Sequence, residues 1–365
     1  MRMTGWRRRM LHLAALATAG LALSACAPQV GDDDWTLEPI GFHNQMTGRP
    51  GDTFFGDTPF ANEPRIDVAF GMSMLAADGT GGFWAMSAGS WLHLGADGEK
   101  LARFNTEFDD PLTRIKAISA LSSTELAVVR DDGHPVLAVL DTTTMTMRDL
   151  PGVPPTEFPD FGDFVFGDVA VHDRDAIVVR YQPRPPAYMD YEVLRIDLDD
   201  GERELLYSRP LALSEADAAP PAVPPIDVDV DASGRIYLAT PTARIVLEPD
   251  GTERSVERQD ADLARVAARP DGVALWWGGA PGPPAANGVI VGGSGEARAS
   301  IELREGCAEP PLYRADALRM TDGMAEHPLP FLCGANAAIW TGSSWVVAIG
   351  GEGDGVLVRL TPPAD

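Results

Sequence analysis

The fold is decided by residues 226–253, which read IDVDVDASGRIYLATPTARIVLEPDGTE. Two short stretches are separated by the turn-forming pair Ser233-Gly234: 226–230 alternates Ile or Val with Asp, and 235–240 is mostly apolar. Runs of this kind between turn residues are typical of β-strands. A further strand ends at Asp250-Gly251, a pair that favours a hairpin turn because glycine readily adopts positive φ. The stretch therefore predicts consecutive short strands joined by tight turns.

The same unit recurs along the chain. Each copy has an apolar strand that we expect to be buried, and these strands are Gly82–Met86, Glu125–Arg130, Ala176–Tyr181, Arg235–Thr240, Val273–Trp277 and Ser344–Ile349. The first five are preceded by the strands Met72–Ala76, Ile115–Leu121, Asp168–His172, Ile226–Val230 and Ala264–Ala268. Each buried strand is followed by two more strands joined by a tight turn. The turn is Asp-Gly or Ser-Gly within 93–104, 195–207, 246–257 and 290–302, and it is Thr142–Thr144 within 138–150. Each copy therefore predicts four antiparallel strands.

Units of roughly 40–60 residues with four short strands have the size of a propeller blade. We therefore predict an all-β chain with a single β-propeller over residues 34–365, with six blades, and seven as the alternative. A seventh blade would come from 35–65 or 304–334. The last unit lacks a fourth strand after 357–360, and we expect residues 34–40 to supply it, which would close the ring and remove an exposed edge. A pair of β-sandwiches is the other fold considered, but it does not predict a turn-matched repeat.

Two stretches resemble known propellers. Residues 226–253 resemble a unit of the NHL-type and related secreted propellers, and ARPDGVALWW (268–277) resembles the strand-turn-strand of Tol-type periplasmic propellers. Each resemblance covers one unit. It implies the fold and carries no catalytic residues.

The first 25 residues have the pattern of an export signal. Arg2 and Arg7 to Arg9 precede the short apolar stretch Leu11 to Leu23, which is too short for a comfortable membrane span. Leu23-Ser24-Ala25-Cys26 resembles the lipobox of bacterial lipoproteins, and Arg7 to His12 also resembles a twin-arginine export signal, with the general secretory route as the alternative. The lipobox resemblance implies removal of residues 1–25 and attachment of lipid, with acyl chains such as palmitate, to the Cys26 thiol. Residues 26–33 would then be the lipidated cysteine and a flexible tether.

The charge excludes some partners. The formal net charge is −25, and loss of the four arginines of residues 1–25 would make it four units more negative. So acidic a chain is unsuited to nucleic acid or to anionic headgroups. We expect the partners to be the lipid bilayer, through Cys26, and an unidentified envelope protein, peptide or glycan on the extracytoplasmic side of the cell membrane.

Two sets of residues are candidates for ligand contact. Asp227, Asp229 and Asp231 alternate along a strand and would place three carboxylates on one face, which suits Ca²⁺ but equally suits a polar face before a turn. We expect no cofactor, with Ca²⁺ as the alternative. The stretch FPDFGDFVFGD (158–168) places aromatic rings beside carboxylates and could form a binding loop at one end of a propeller, or a buried strand connection, and its candidate residues are Phe158, Asp160, Phe161, Asp163 and Phe164.

These patterns favour a binding protein over an enzyme. The sequence has no G-x-S-x-G elbow, no P-loop and no HExxH, so we predict no catalytic residue. We expect a membrane-anchored, non-catalytic propeller that binds or organises an envelope component. The alternative is a metal-dependent extracytoplasmic hydrolase or lactonase of the propeller type.

Cys307 and Cys333 form an even pair in an oxidising compartment, so we predict a disulfide that staples an insertion at about 304–334. The bond would close a loop of about 26 residues and stabilise the fold by roughly 3 kcal/mol in the chain-entropy model. The native chain, denatured without reductant, should show no reactive thiol at either position in an alkylation assay read by mass spectrometry. Two alkylated cysteines would contradict the disulfide.

Overall fold

The structure is a computed structural model, and it describes residues 36–44, 72–87, 90–106, 110–131, 135–150, 165–184, 188–212, 226–240, 243–258, 265–277, 288–291, 297–301, 335–350 and 354–362. These residues are almost all in β-strands, with one short 3-10 helix at Pro111–Arg114. Within these ranges, no helix is long and apolar enough to cross a membrane.

The strands form six antiparallel sheets of four strands, and β1 (Thr36–Asn44) belongs to the last of them. Sheet I contains β2 (Met72–Ala77), β3 (Phe83–Ser87), β4 (Ser90–Leu94) and β5 (Lys100–Asn105). Sheet II contains β6 (Ile115–Ala120), β7 (Glu125–Asp131), β8 (Pro135–Asp141) and β9 (Thr146–Asp149). Sheet III contains β10 (Val165–His172), β11 (Asp175–Arg184), β12 (Tyr188–Asp197) and β13 (Arg203–Ala212).

The remaining sheets follow the same order. Sheet IV contains β14 (Asp227–Val230), β15 (Ile236–Thr240), β16 (Ala243–Leu247) and β17 (Glu253–Arg258). Sheet V contains β18 (Arg265–Ala268), β19 (Ala274–Trp277), β20 (Gly288–Val291) and β21 (Ala297–Ile301). Sheet VI contains β22 (Ala335–Trp340), β23 (Trp345–Gly350), β24 (Asp354–Thr361) and then β1.

The first strand of each sheet is the inner strand. The inner strands contact one another in the order β2, β6, β10, β14, β18 and β22, and β22 contacts β2 again. The sheets therefore surround one axis, and the predicted all-β propeller is confirmed. Of the stretches proposed for a seventh blade, residues 36–44 belong to sheet VI, while 45–65 and 304–334 lie outside the described residues.

The second strand of each sheet is buried because neighbouring sheets cover both of its faces. Trp84, Val128, Val178 and Val347 are at most 4% exposed. Apolar clusters join successive sheets. One of them packs residues of β3 and β4 against β6, β7 and β8, and another packs β11 and β12 against β14, β15 and β16. Continuous apolar runs such as IYLAT (236–240) are fully buried, as the sequence predicted.

The predicted hairpin turns between the third and fourth strands are confirmed where they are described. Gly98, Gly201 and Gly251 all have positive φ, between 78° and 84°. Sheet II has no glycine at this turn, and Met145 takes the left-handed conformation instead, with φ of 55°. A non-glycine residue there is uncommon and adds local strain.

The strand β1 closes sheet VI. It pairs antiparallel with β24 from Thr36↔Thr361 to Asn44↔Asp354, with one irregularity between Pro39 and Gly41. The contacts of Ile40 repeat those of an ordinary outer strand. A Cβ at Gly98 would overlap the carbonyl oxygen of Ile40, as a Cβ at Gly251 would overlap that of Leu206 on β13. The turn of sheet I therefore packs on β1 as the turn of sheet IV packs on β13.

An arginine reinforces the same two junctions. Arg359 on β24 donates to the carbonyl of Ala96 in the sheet I turn, at 3.0 Å. Arg195 on β12 donates to the carbonyl of Pro249 in the sheet IV turn. The junction that joins the two ends of the chain is thus built like a junction inside the repeat.

Gly98→Ala should destabilise the fold more than Gly79→Ala. Both glycines have positive φ, but a Cβ at Gly79 would meet nothing within 4 Å. We expect about 1 kcal/mol from the backbone conformation alone in Gly79→Ala, and roughly 1–3 kcal/mol more in Gly98→Ala from the forced displacement of β1. Urea unfolding of the purified variants measures both. Equal losses would show that the turn does not press on β1.

Candidate functional site

The inner strands enclose a cavity of about 750 Å³ on the axis of the propeller. Residues from all six inner strands line it, and we call the end at which these strands begin the mouth. Asp227 and Arg265 are the first residues of β14 and β18 and lie at the mouth. His172, Asp173 and Trp340 lie at the opposite end.

Bulges shape four of the inner strands near the mouth. The pairing register shifts between Met72 and Met74, Ile115 and Ala117, Phe166 and Asp168, and Ala335 and Ala337. A bulge re-aims a side chain that regular pairing would direct elsewhere. The skipped residues Lys116 and Asn336 both line the cavity, so the bulges place polar side chains there.

Carboxylates of one inner strand bind the backbone of the next. Asp168 on β10 accepts a hydrogen bond from Val228 N on β14, at 2.8 Å. Asp227 and Asp229 on β14 accept from Val266 N and Ala268 N on β18, at 2.8 and 2.7 Å. These bonds satisfy backbone N–H groups at the strand edge, where no neighbouring strand pairs with them. The three aspartates therefore join sheets III, IV and V around the cavity.

A carboxyl pair and one guanidinium lie together at the mouth. Arg265 Nη1 donates to Asp227 Oδ1 at 3.2 Å, and the charge of Asp227 raises the pKa of Arg265. Burial, reinforced by the adjacent Asp227 carboxylate, raises the pKa of Asp168 well above its ordinary value. Asp168 therefore retains its proton under conditions in which an exposed aspartate would be ionised.

Asp229 and Asp231 differ although they are two residues apart. Burial raises the pKa of Asp229 to about 7, although the hydrogen bonds that it accepts from two backbone N–H groups act to lower this pKa. Burial also acts to raise the pKa of Asp231, but hydrogen bonds from Ser233, Arg235 and Tyr237 outweigh it and hold this pKa below its usual value. Asp231 is therefore a structural anion.

Asp231 caps the turn between the first two strands of sheet IV. Its Oδ1 accepts from Ser233 N, Ser233 Oγ and Arg235 N, and its Oδ2 accepts from Arg235 Nε and Tyr237 OH. Asp78 does the same in sheet I, accepting from Thr80 N, Thr80 Oγ1 and Gly82 N, while Oδ2 lies 2.8 Å from His93 Nε2. The same turn in two sheets indicates a role in the repeat.

The three candidate Ca²⁺ ligands are thus divided between two roles. Asp227 and Asp229 lie on one face, as alternation predicted, but both bind β18; Asp231 follows the end of β14 and binds its own turn. In the part of the chain that the structure describes, no group of three or more His, Cys, Asp or Glu residues is arranged to hold a metal ion. Their observed partners are donors of the protein itself.

The other predicted site residues lie outside the described residues. These are Cys26, Cys307 and Cys333, and the loop candidates Phe158, Asp160, Phe161, Asp163 and Phe164. The loop candidates immediately precede β10, which carries Asp168.

The sequence did not single out Arg265, Lys116 or Asn336 as cavity residues, and Asp168 was only the last residue of the predicted binding loop 158–168. A signal existed for Asp168, because Asp168-Val-Ala-Val and Asp227-Val-Asp-Val occupy equivalent inner strands. Nothing comparable identified Arg265 or the bulge residues, since their positions depend on the assembled ring.

No family model and no curated protein matches the chain. Among solved structures, the chain is similar to a putative TolB from Agrobacterium tumefaciens, with 12% identity, a TM-score of 0.45, and coverage of 90% of this chain and 99% of that one. A gluconolactonase from Xanthomonas campestris has 11% identity and a TM-score of 0.37 over 56% of this chain and 68% of that one. A Bacteroides caccae protein of unknown function has 12% identity and a TM-score of 0.41 over 65% and 84%.

Asp231→Ala should destabilise the fold by about 3 kcal/mol or more, because it leaves buried donors and Arg235 without their acceptor. Asp250→Ala is the matched control, since Asp250 caps an exposed turn and accepts from Thr252 N and Thr252 Oγ1, and we expect a loss of about 1 kcal/mol there. Urea unfolding with Ca²⁺ or with EDTA measures both. A midpoint that Ca²⁺ raises in the parent chain but not in Asp231→Ala would assign Asp231 to a metal site instead.

Proposed function

We propose that the chain is a lipid-anchored extracytoplasmic binding module. Its six four-stranded sheets form one six-bladed ring closed by β1, and the mouth of the cavity faces an envelope protein, peptide or glycan. The lipobox at Leu23 to Cys26 supports the anchor. Nine residues separate Cys26 from Thr36, the first residue of β1, so Thr36 would stay within about 35 Å of the lipidated cysteine.

The binding role is supported by the hydrogen bonds that the cavity carboxylates accept from the protein backbone. Asp168, Asp227 and Asp229 each accept a backbone N–H of the adjacent inner strand. Carboxylates committed in this way stabilise the ring, and their geometry is set by the next strand rather than by an ion or a substrate. This supports a binding scaffold without a resident metal over the metal-dependent hydrolase or lactonase.

The polar groups of the mouth are suited to a partner that offers acceptors. The Arg265 side chain is 40% exposed and uses Nη1 for Asp227. Its guanidinium has five N–H donors in all. Lys116 and Asn336 add further donors to the cavity lining. Peptide carbonyls and sugar hydroxyls both accept such bonds.

Cys26→Ser should move the chain from the membrane fraction to the soluble extracytoplasmic fraction without changing its circular dichroism spectrum, because only the thiol carries lipid.

Photo-cross-linking tests whether the partner docks at the mouth of the cavity. A photo-cross-linking residue at Lys116, at the mouth, should capture an envelope component in intact cells, whereas one at exposed Asp173, at the opposite end, should not.

Retention of an unlipidated Cys26→Ser chain in the membrane would contradict the anchor. Equal capture from both positions would contradict docking at the mouth. Turnover of an ester or lactone that requires an added divalent ion would favour the enzyme.

A further inference from the structure

We propose that the ring is held with its mouth facing away from the anchoring bilayer, so that a partner reaches the cavity from the extracytoplasmic space. The opposite end then lies toward the lipid. We call this end the turn face, and it consists of the turns that join the first to the second strand and the third to the fourth strand of the sheets. The inference rests on the lipid anchor of the proposed function and deepens it, because it states the side from which the partner arrives.

The two ends of the ring are built from different kinds of connection. The turns of the turn face span two to five residues, from Asp173-Arg174 between β10 and β11 to 248–252 between β16 and β17. The connections between successive sheets begin and end at the mouth and span six to 33 residues. They include 150–164 and 302–334, which contain the predicted binding-loop and disulfide candidates. Ligand contacts are usually made by such long loops, so the mouth is the end that is equipped for a partner.

The chain enters the ring at the turn face. In sheet VI, the third strand β24 ends at Thr361, and the fourth strand β1 begins at the register partner of this residue, Thr36. These two residues occupy the place of the turn between the third and fourth strands of the other sheets. From there β1 runs to Asn44, which pairs with Asp354 at the mouth. The residues between Cys26 and Thr36 would therefore join the lipid to the turn face.

The length of this tether favours one orientation of the ring. A flexible chain of this length has a root-mean-square end-to-end distance of about 15–20 Å. The eight residues of β24 span roughly 26 Å between the mouth and the turn face. If the mouth lay against the bilayer, the tether would have to run back along sheet VI for at least that distance, toward its full extension of about 35 Å. With the turn face toward the bilayer no such extension is needed, so chain entropy favours this orientation.

The charge of the turn face sets its distance from the headgroups. Exposed carboxylates lie in the turns of sheets I, III and IV, at Asp97, Asp200 and Asp250. Anionic headgroups repel a surface of this kind. The repulsion is screened beyond about 8 Å at physiological ionic strength, and the tether can span a larger gap than that. The ring should therefore stand off the surface of the bilayer, with the turn face inward.

Three labelled chains test the orientation. Asp97 and Asp250 are exposed turn residues of sheets I and IV, whose inner strands are three steps apart and therefore lie across the ring from each other. Lys116 is exposed at the mouth. A fluorescent amino acid replaces one of these residues in each chain, and the lipidated full-length chains are added to phosphatidylcholine vesicles that carry acceptor-labelled headgroups. Energy transfer then measures the distance of each position from the bilayer surface.

Transfer should be stronger from both turn positions than from Lys116. The expected difference in distance is roughly 20 Å, which is the length of the six-residue strand β6. Transfer from Lys116 that equals or exceeds transfer from both turn positions would overturn the orientation. Transfer that is stronger than that of Lys116 at only one turn position would show that the ring lies on its side, and this result would overturn it as well.

The anchor is tested separately with the same vesicles. The parent chain should float with them, whereas the Cys26→Ser versions of the labelled chains should not float and should show no transfer. A parent chain that stays in solution would overturn the anchor and the orientation together. A parent chain that floats but shows the reverse order of transfer would leave the anchor intact and overturn the orientation alone.

Circular dichroism during thermal unfolding shows whether each labelled chain is folded. All three positions are exposed, so each labelled chain should unfold close to the temperature of the parent chain. If the chain labelled at Lys116 does not fold, exposed Pro111 provides a second position at the mouth, because it begins the 3-10 helix that directly precedes β6. The same order of transfer is expected with that label.

Discussion

The ring depends on the pairing of β1 with β24, because this pairing joins the first described strand to the last. Without it, sheet VI would present β24 as an open edge, and the turn of sheet I would have no outer strand to pack against. Ile40 in β1 contributes to both the cover of sheet VI and the packing of the sheet I turn. It is 2% exposed, belongs to the apolar cluster shared by sheets VI and I, and lies where a Cβ on Gly98 would have to be. Closure is therefore a matter of close packing as well as of backbone hydrogen bonds.

The junctions between sheets use different chemistry at different distances from the axis. At the outer strands, glycine turns press on the preceding sheet and arginines reach turn carbonyls. In the middle, buried second strands pack against their neighbours, and Trp277 Nε1 donates across to Ala335 O at 3.1 Å. At the axis, the strands converge and the space between them is polar and open. Carboxylates satisfy the inner backbone there in sheets III to V, where apolar packing does not reach.

The sequence was sufficient for the features that depend on local chemistry. Asp-Gly turns such as Asp250-Gly251 predicted positive φ, and apolar runs such as 236–240 predicted buried strands, because each depends on a few adjacent residues. The closing strand was predicted at 34–40 from the missing fourth strand of the last unit and is found at Thr36–Asn44. The candidate site was predicted less well. Alternation correctly placed Asp227 with Asp229, but it could not show that β14 ends before Asp231 or that Ser233 and Arg235 would engage that carboxylate.

Local sequence patterns could not predict the environments in which the aspartates of the cavity acquire different pKa values. Asp168 and Asp227 are 59 positions apart in the sequence, and Arg265 is a further 38 positions away, yet the packing of sheets III, IV and V against one another makes them neighbours. An aspartate in water is ionised at neutral pH whatever its sequence neighbours. At Asp168, burial between inner strands and the neighbouring Asp227 carboxylate raise the pKa well above that ordinary value. The cavity therefore owes its electrostatic character to the junctions between sheets III, IV and V, and a change that loosens one of these junctions alters the electrostatics as well as the packing.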